Sequence, residues 1–207
     1  MFFGYDPGGN GKHGVAALFI EHGNPIALQS ALVETAEAAV QWFAGRSGAP
    51  IAIGVDTLTC WSTGSSGWRP ADRWLKGRYP KVQASIASPN SLYGAMSING
   101  MAALLALREI FPKLLVTETH PKVLHWHILR RPYDYISGQA YMLEALTKEL
   151  GIEVTSSSDH EWDAVLSALV AFRGVSGQWR RDLHKLPTTK TERLVMPFGV
   201  TNYFWPE

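Results

Sequence analysis

An α/β fold, in which a mixed five-stranded sheet is flanked by helices, is what this chain predicts, and three observations predict it. The first 34 residues read as three short meander strands joined by glycine-containing turns. Further on, Pro50-Ile51-Ala52-Ile53-Gly54-Val55 is an almost wholly apolar run of strand length, the pattern of a central strand covered on both faces. After it, helical periodicity alternates with one more short apolar run, as strand–helix–strand crossovers require.

The first strand covers residues 2–6 and ends on Asp6, immediately before the turn Pro7-Gly8-Gly9-Asn10-Gly11-Lys12-His13. Desolvating a lone carboxylate between apolar strands is costly, so Asp6 is expected to be paired, bound to a cation or left at a solvated rim. Residues 14–20 and 25–34 complete the meander. Thr35 offers an N-cap for a helix over 36–46, with Ala39, Val40 and Phe43 on one stripe. The strand over 50–56 again closes on an acid, Asp56.

From residue 57 to about 90 the pattern dissolves into Ser/Gly-rich turns around a basic segment, Arg69 to Lys81. A loop of that length in a compact domain is more often functional than idle. A helix follows over 97–111, stopped by Pro112, and a fifth short strand over 114–118 closes on Glu118. Thr119-His120-Pro121 starts a helix through Leu129, and a further helix over 135–150 stops at Gly151. Residues 152–154 are expected to add a short strand. The run Ser156-Ser157-Ser158-Asp159 supplies N-cap candidates for the last helix, over 160–172, where Ala164, Ala168 and Ala171 allow close approach to the sheet. One domain over residues 1–207 is expected, with an insertion at about 57–95 and a mixed basic and aromatic extension at about 174–207.

Composition narrows the partners. With 46% hydrophobic and 18% charged residues the chain is ordinary globular protein, and its formal charge of +1 confines any nucleic-acid site to a local patch. The single cysteine, Cys60, cannot close an internal disulfide and reads as a buried small residue, with no histidine evidently paired to it. No apolar stretch reaches membrane-spanning length and no signal segment opens the chain, so a soluble, cytoplasmic protein is expected.

The acids carry the functional signal. Strand ends at Asp6, Asp56 and Glu118 belong to one edge if their strands are neighbours, and ligands of open α/β sheets collect there. On the last helix Asp159 and Asp163, and His160 and Asp163, have spacings that place either pair on one side. Crowded carboxylates call for a cation, and hard oxygen donors suit Mg²⁺ or Mn²⁺. Two such ions about 3.5–4 Å apart activate water and stabilise the leaving oxygen of a phosphodiester. Each acid also has a plainer use: Asp56 as a turn residue, Glu118 as a salt-bridge partner, Asp159 as an N-cap. Asp163, one turn into an apolar helix, has few.

The order of these segments resembles the ribonuclease H-like fold, and most closely the predicted nucleases of domain of unknown function 429. The residues that carry the likeness are Tyr5-Asp6, Gly54-Val55-Asp56-Thr57-Leu58, Glu118-Thr119-His120-Pro121 and the helix from Asp163-Ala164 to Ala171. The helix His160-x-x-Asp163-Ala164 is also similar to that of Holliday-junction resolvases. The resemblance implies a metal-dependent phosphodiester hydrolase acting on nucleic acid, with Asp6, Asp56 and Asp163 as metal ligands and His160 as a helper. Those resolvases usually carry Glu where Asp56 stands, so Glu118 is a candidate ligand of longer reach, with Asp159 beside it. Lys12, Arg69, Arg73 and Lys76 are candidates for substrate phosphate, and a homodimer is compatible with this reading.

Two other readings share these residues. In one, the glycine turn after Asp6 cradles a phosphate, as in the actin-like ATPase branch. A Walker loop is excluded, because Asp6 stands where its first glycine belongs and His13 replaces Ser or Thr. In the other, the chain only binds nucleic acid, through mixed basic and aromatic stretches at 68–81 and 173–193.

Overall fold

The computed structural model describes residues 1–9, 11–87, 94–190 and 192–207, with backbone only for Gly94 and Ala95. Asn10 of the glycine turn and Asn90 at the end of the expected irregular stretch lie outside the described residues. The elements run β1 (Phe2–Asp6), β2 (His13–Glu21), β3 (Asn24–Val33), α1 (Ala36–Ala44), β4 (Ala52–Val55), β5 (Trp61–Ser62), α2 (Pro70–Arg78) and α3 (Gly94–Ile110). They continue with β6 (Leu115–Glu118), α4 (Pro121–Leu129), α5 (Tyr135–Leu150), α6 (Asp159–Val175), β7 (Arg181–Asp182), β8 (Leu194–Val195) and β9 (Phe204–Trp205).

Five strands form one sheet in the order β3-β2-β1-β4-β6. β2 is antiparallel to both β1 and β3, whereas β4 runs parallel to β1 and β6 parallel to β4. This is the expected mixed sheet with the meander first, and its order and directions are those of the ribonuclease H-like fold. Side chains alternate along β1, so Phe3 and Tyr5 face a core with Phe43 of α1 and Leu104 and Leu107 of α3. Phe2 faces the other core, built around α6 with Val123, Leu124, Met142 and Leu146. Asp6 is in step with Phe2, on the α6 side.

How α6 reaches that side is a matter of missing side chains. A Cβ on Gly4 would fall 1.8 Å from the Ala164 carbonyl oxygen, and one on Gly14 would fall 1.8 Å from that of His160. The helix backbone therefore rests on the strands, as Ala164 and Ala168 foreshadow from the helix side. Ser158, not Asp159, is its N-cap, accepting from the Glu161 N–H.

Two expectations change, and one edge of the sheet gains a partner. The basic segment is not irregular: Pro70 opens α2, and the Arg69 backbone N–H is capped by the Asp72 carboxylate at 3.0 Å. Residues 152–154 add no strand, since the Val154 N–H is taken by Thr147 Oγ1 at 3.1 Å and its side chain enters the core. The free edge of β6 is met instead by the C-terminal extension, where the Glu118 N–H donates to Asn202 O at 2.8 Å and the Asn202 N–H to Val116 O at 2.9 Å. The same C-terminal segment pairs β7 with β9, and pairs β8 with β5. No helix among the described residues is long and apolar enough to cross a membrane.

Candidate metal centre

Three of the predicted acids converge. Asp6 ends β1, and Asp56 follows β4 with its N–H donated to Tyr5 O at 2.9 Å. Asp163 comes down onto both from α6, because the glycines hold that helix against the sheet. One carboxylate oxygen of each of the three lies within 4.8 Å of those of the others. His160 Nδ1 is 2.5 Å from Asp6 Oδ2, and the Tyr133 hydroxyl donates to Asp163 Oδ1 at 2.8 Å.

The electrostatics of this group are unfavourable as it stands. Burial raises the pKa of Asp6, and it raises Asp56 and Asp163 well above the usual range, with the charges of their neighbours adding to the last two. The hydrogen bond to Asp6 raises His160, whose imidazole remains 30% exposed. Lys122, exposed in the first turn of α4, opposes the shift at all three acids. These crowded oxygen donors, of which Asp6 alone among the described residues has a charged partner, His160, fit a hard divalent ion, so the donor set suits Mg²⁺ or Mn²⁺.

Glu118 falls outside that group. Its Oε2 accepts from Arg69 Nη1 at 2.7 Å and from the Thr59 N–H at 2.9 Å, and its Oε1 accepts from Arg69 Nη2 at 2.6 Å. Burial alone would raise its pKa, but the Arg69 guanidinium and His184 together outweigh burial and hold Glu118 well below the usual range. Arg69 is buried, so its expected contact with substrate phosphate gives way to this ion network. Its remaining N–H groups go to Asp72 and to Cys60 O. Cys60 does have a histidine: His184 Nε2 lies 3.4 Å from its Sγ and 3.5 Å from Glu118 Oε2. The sequence separation of 124 residues hid that pair.

The remaining candidates scatter. Asp159 is half-buried at the start of α6, where its charge acts on Asp6 and His160 without joining the three-carboxylate group. Lys12 is exposed on the turn after β1. Arg73 pairs with Glu192 at 2.7 Å while 44% exposed, and Lys76 Nζ lies 4.1 Å over the Trp68 ring. Two participants went unforeseen. Lys122 was findable, as the first cation after a strand-end acid and a helix-opening proline. Tyr133 carried no local signal, because its contact to Asp163 spans 30 residues.

Comparison with known proteins adds little. No family model and no curated protein matches the chain. Among solved structures, that of Thermus thermophilus RuvC is similar at 17% identity over 84% of this chain and 95% of that chain, with a TM-score of 0.45. The fold assignment rests on strand order and direction.

Proposed function

We propose that the protein is a metal-dependent phosphodiester hydrolase acting on nucleic acid, with Asp6, Asp56 and Asp163 holding Mg²⁺ or Mn²⁺. The observation that carries this reading is the convergence of three carboxylates, Asp6 and Asp163 buried and Asp56 partly exposed, all with raised pKa, on neighbouring strand ends and the helix above them. The order of acidic segments that resembles domain of unknown function 429 supports the same reading. Such a cation, when bound, supplies charge that polarises a phosphoryl oxygen and acidifies water. The protein's own groups do the rest. Asp6 orients His160 through Nδ1, and the partly exposed imidazole takes the proton of the attacking water as its oxygen bonds to phosphorus. The phosphorus–oxygen ester bond breaks, and the departing oxygen gains a proton from solvent. Tyr133 fixes the Asp163 carboxylate, and Lys122 places a positive charge where the substrate phosphate arrives. Glu118 acts at a distance, anchoring the insertion to β6.

Asp6→Asn keeps the shape of the side chain and removes its charge. Mn²⁺-dependent cleavage of end-labelled DNA and RNA strands should fall to background in that variant while its urea unfolding curve stays that of a folded protein. Retained turnover would sink the assignment.

A further inference from the structure

Beside Asp56 the surface opens into a pocket of about 140 Å³ lined by Thr57, Leu58, Ile86, Met96, His120 and Lys122, with Arg69 and Glu118 at its floor. Asp56 belongs both to this pocket and to the three-carboxylate group, so whatever enters lies next to the proposed reacting phosphate. The volume is well below the roughly 300–1,000 Å³ of pockets that take drug-sized ligands, which leaves room for one ring-sized group.

Its chemistry argues against a second phosphate. Every N–H of the Arg69 guanidinium is already donated, to Asp72, Glu118 and Cys60 O, so the cationic floor is spent internally. Leu58, Ile86 and Met96 give apolar walls suited to the faces of a flat ring. The hydroxyl of Thr57 and the ammonium of Lys122, both in the lining, are the polar groups a ring edge would meet, while the His120 Nδ1 behind them is closed to solvent and has no hydrogen-bond partner among the described residues. A neutral planar group with a polar edge fits the apolar walls, the Thr57 and Lys122 donors and a floor with no free guanidinium N–H.

We infer that this pocket receives a single unpaired nucleobase adjacent to the phosphate held at the aspartates. The inference rests on the hydrolase reading and sharpens its substrate class. A base stacked and paired within a duplex cannot enter, so strands, bulges or branch points with an exposed nucleotide are the substrates.

An abasic scan tests it. Fluorescein-labelled single-stranded oligonucleotides of DNA and RNA, each lacking one base, are titrated with the intact protein by anisotropy, alongside the unmodified strand and its blunt duplex. One position should cost about tenfold in affinity, of the order of a lost base–aromatic or base–apolar stack, and the duplex should bind more weakly than the strand. Met96→Trp should abolish the positional effect while leaving thermal stabilisation by Mn²⁺ alone unchanged. A flat scan, or duplex binding as tight as the strand, overturns the inference, and both readouts use the unaltered protein should the tryptophan variant not fold. The scan needs no metal: if Mn²⁺ neither stabilises the protein nor supports cleavage, the hydrolase reading fails, while the position-dependent loss still decides the base pocket.

Discussion

The carboxylates at the ends of β1, β4 and β6 sit side by side at one edge of the same sheet, in opposite electrostatic surroundings. At β6, Glu118 is met by Arg69, Thr59 and His184, and its charge is neutralised within the chain. At β1 and β4, Asp6 and Asp56 are joined by a further acid, Asp163, and the cation acting on all three is the exposed Lys122. A strand-end acid alone does not make a metal ligand. What separates the two groups is how much countercharge the chain supplies; where it supplies too little, carboxylates hold their protons more tightly or take a cation from solution.

The largest test breaks the closed side of that comparison. Arg69→Met leaves Glu118 and Asp72 buried without their partner, and the expected loss is about 3–5 kcal/mol in urea unfolding. A loss under 1 kcal/mol would mean the network is not the anchor described.

Opposite signs with pH sharpen the contrast. Glu118, with a folded pKa below its unfolded 4.5, contributes stability that is full above 4.5 and is lost as pH falls. Burial alone would depress His184, but its contacts with Cys60 and Glu118 hold it up at about 10, so its contribution is full below 6.5 and is lost as pH rises through about 10. The three aspartates do the reverse of Glu118: raised above 3.8, they favour the metal-free fold in acid and progressively less as pH rises. The gain in Tm from Mn²⁺ should therefore grow as pH rises from the ordinary carboxylate range to neutrality, since binding displaces protons. Equal gains at both ends would contradict the undercompensated character of the group.

Asp163→Asn should do to the open side what no substitution does to the closed one. In metal-free protein it relieves repulsion and raises stability by about 1 kcal/mol, the worth of roughly one pKa unit. In the same variant, stabilisation by Mn²⁺ should disappear. The smallest expected effect belongs to Tyr133→Phe, which removes the hydrogen bond that orients Asp163. Mn²⁺ affinity by calorimetry should weaken about tenfold with little change in fold stability, and an unchanged affinity would leave the tyrosine a packing residue.

Much of the frame was legible in the chain. Alternation in Phe2-Phe3-Gly4-Tyr5-Asp6, the apolar run before Asp56 and the caps at Thr35 and Gly151 are local signals, and the structure follows them closely. The basic segment from Arg69 misled for a physical reason. Sequence shows a cation but not its burial, and Arg69 turns inward because Asp72 and Glu118 wait there. Cys60 with His184, and Tyr133 with Asp163, were illegible because each pair is joined only by folding.

By itself, then, the sequence determined the strand and helix periods, the acids at their ends and the small residues that let α6 settle on the sheet. Tertiary structure decided which acids share a site. Periodicity is set by neighbours along the chain, whereas the fate of a charge is set by whatever groups packing brings within a few ångströms. Only there are Asp6, Asp56 and Asp163 left with less countercharge than charge, from His160 and the exposed Lys122, while Glu118 is neutralised.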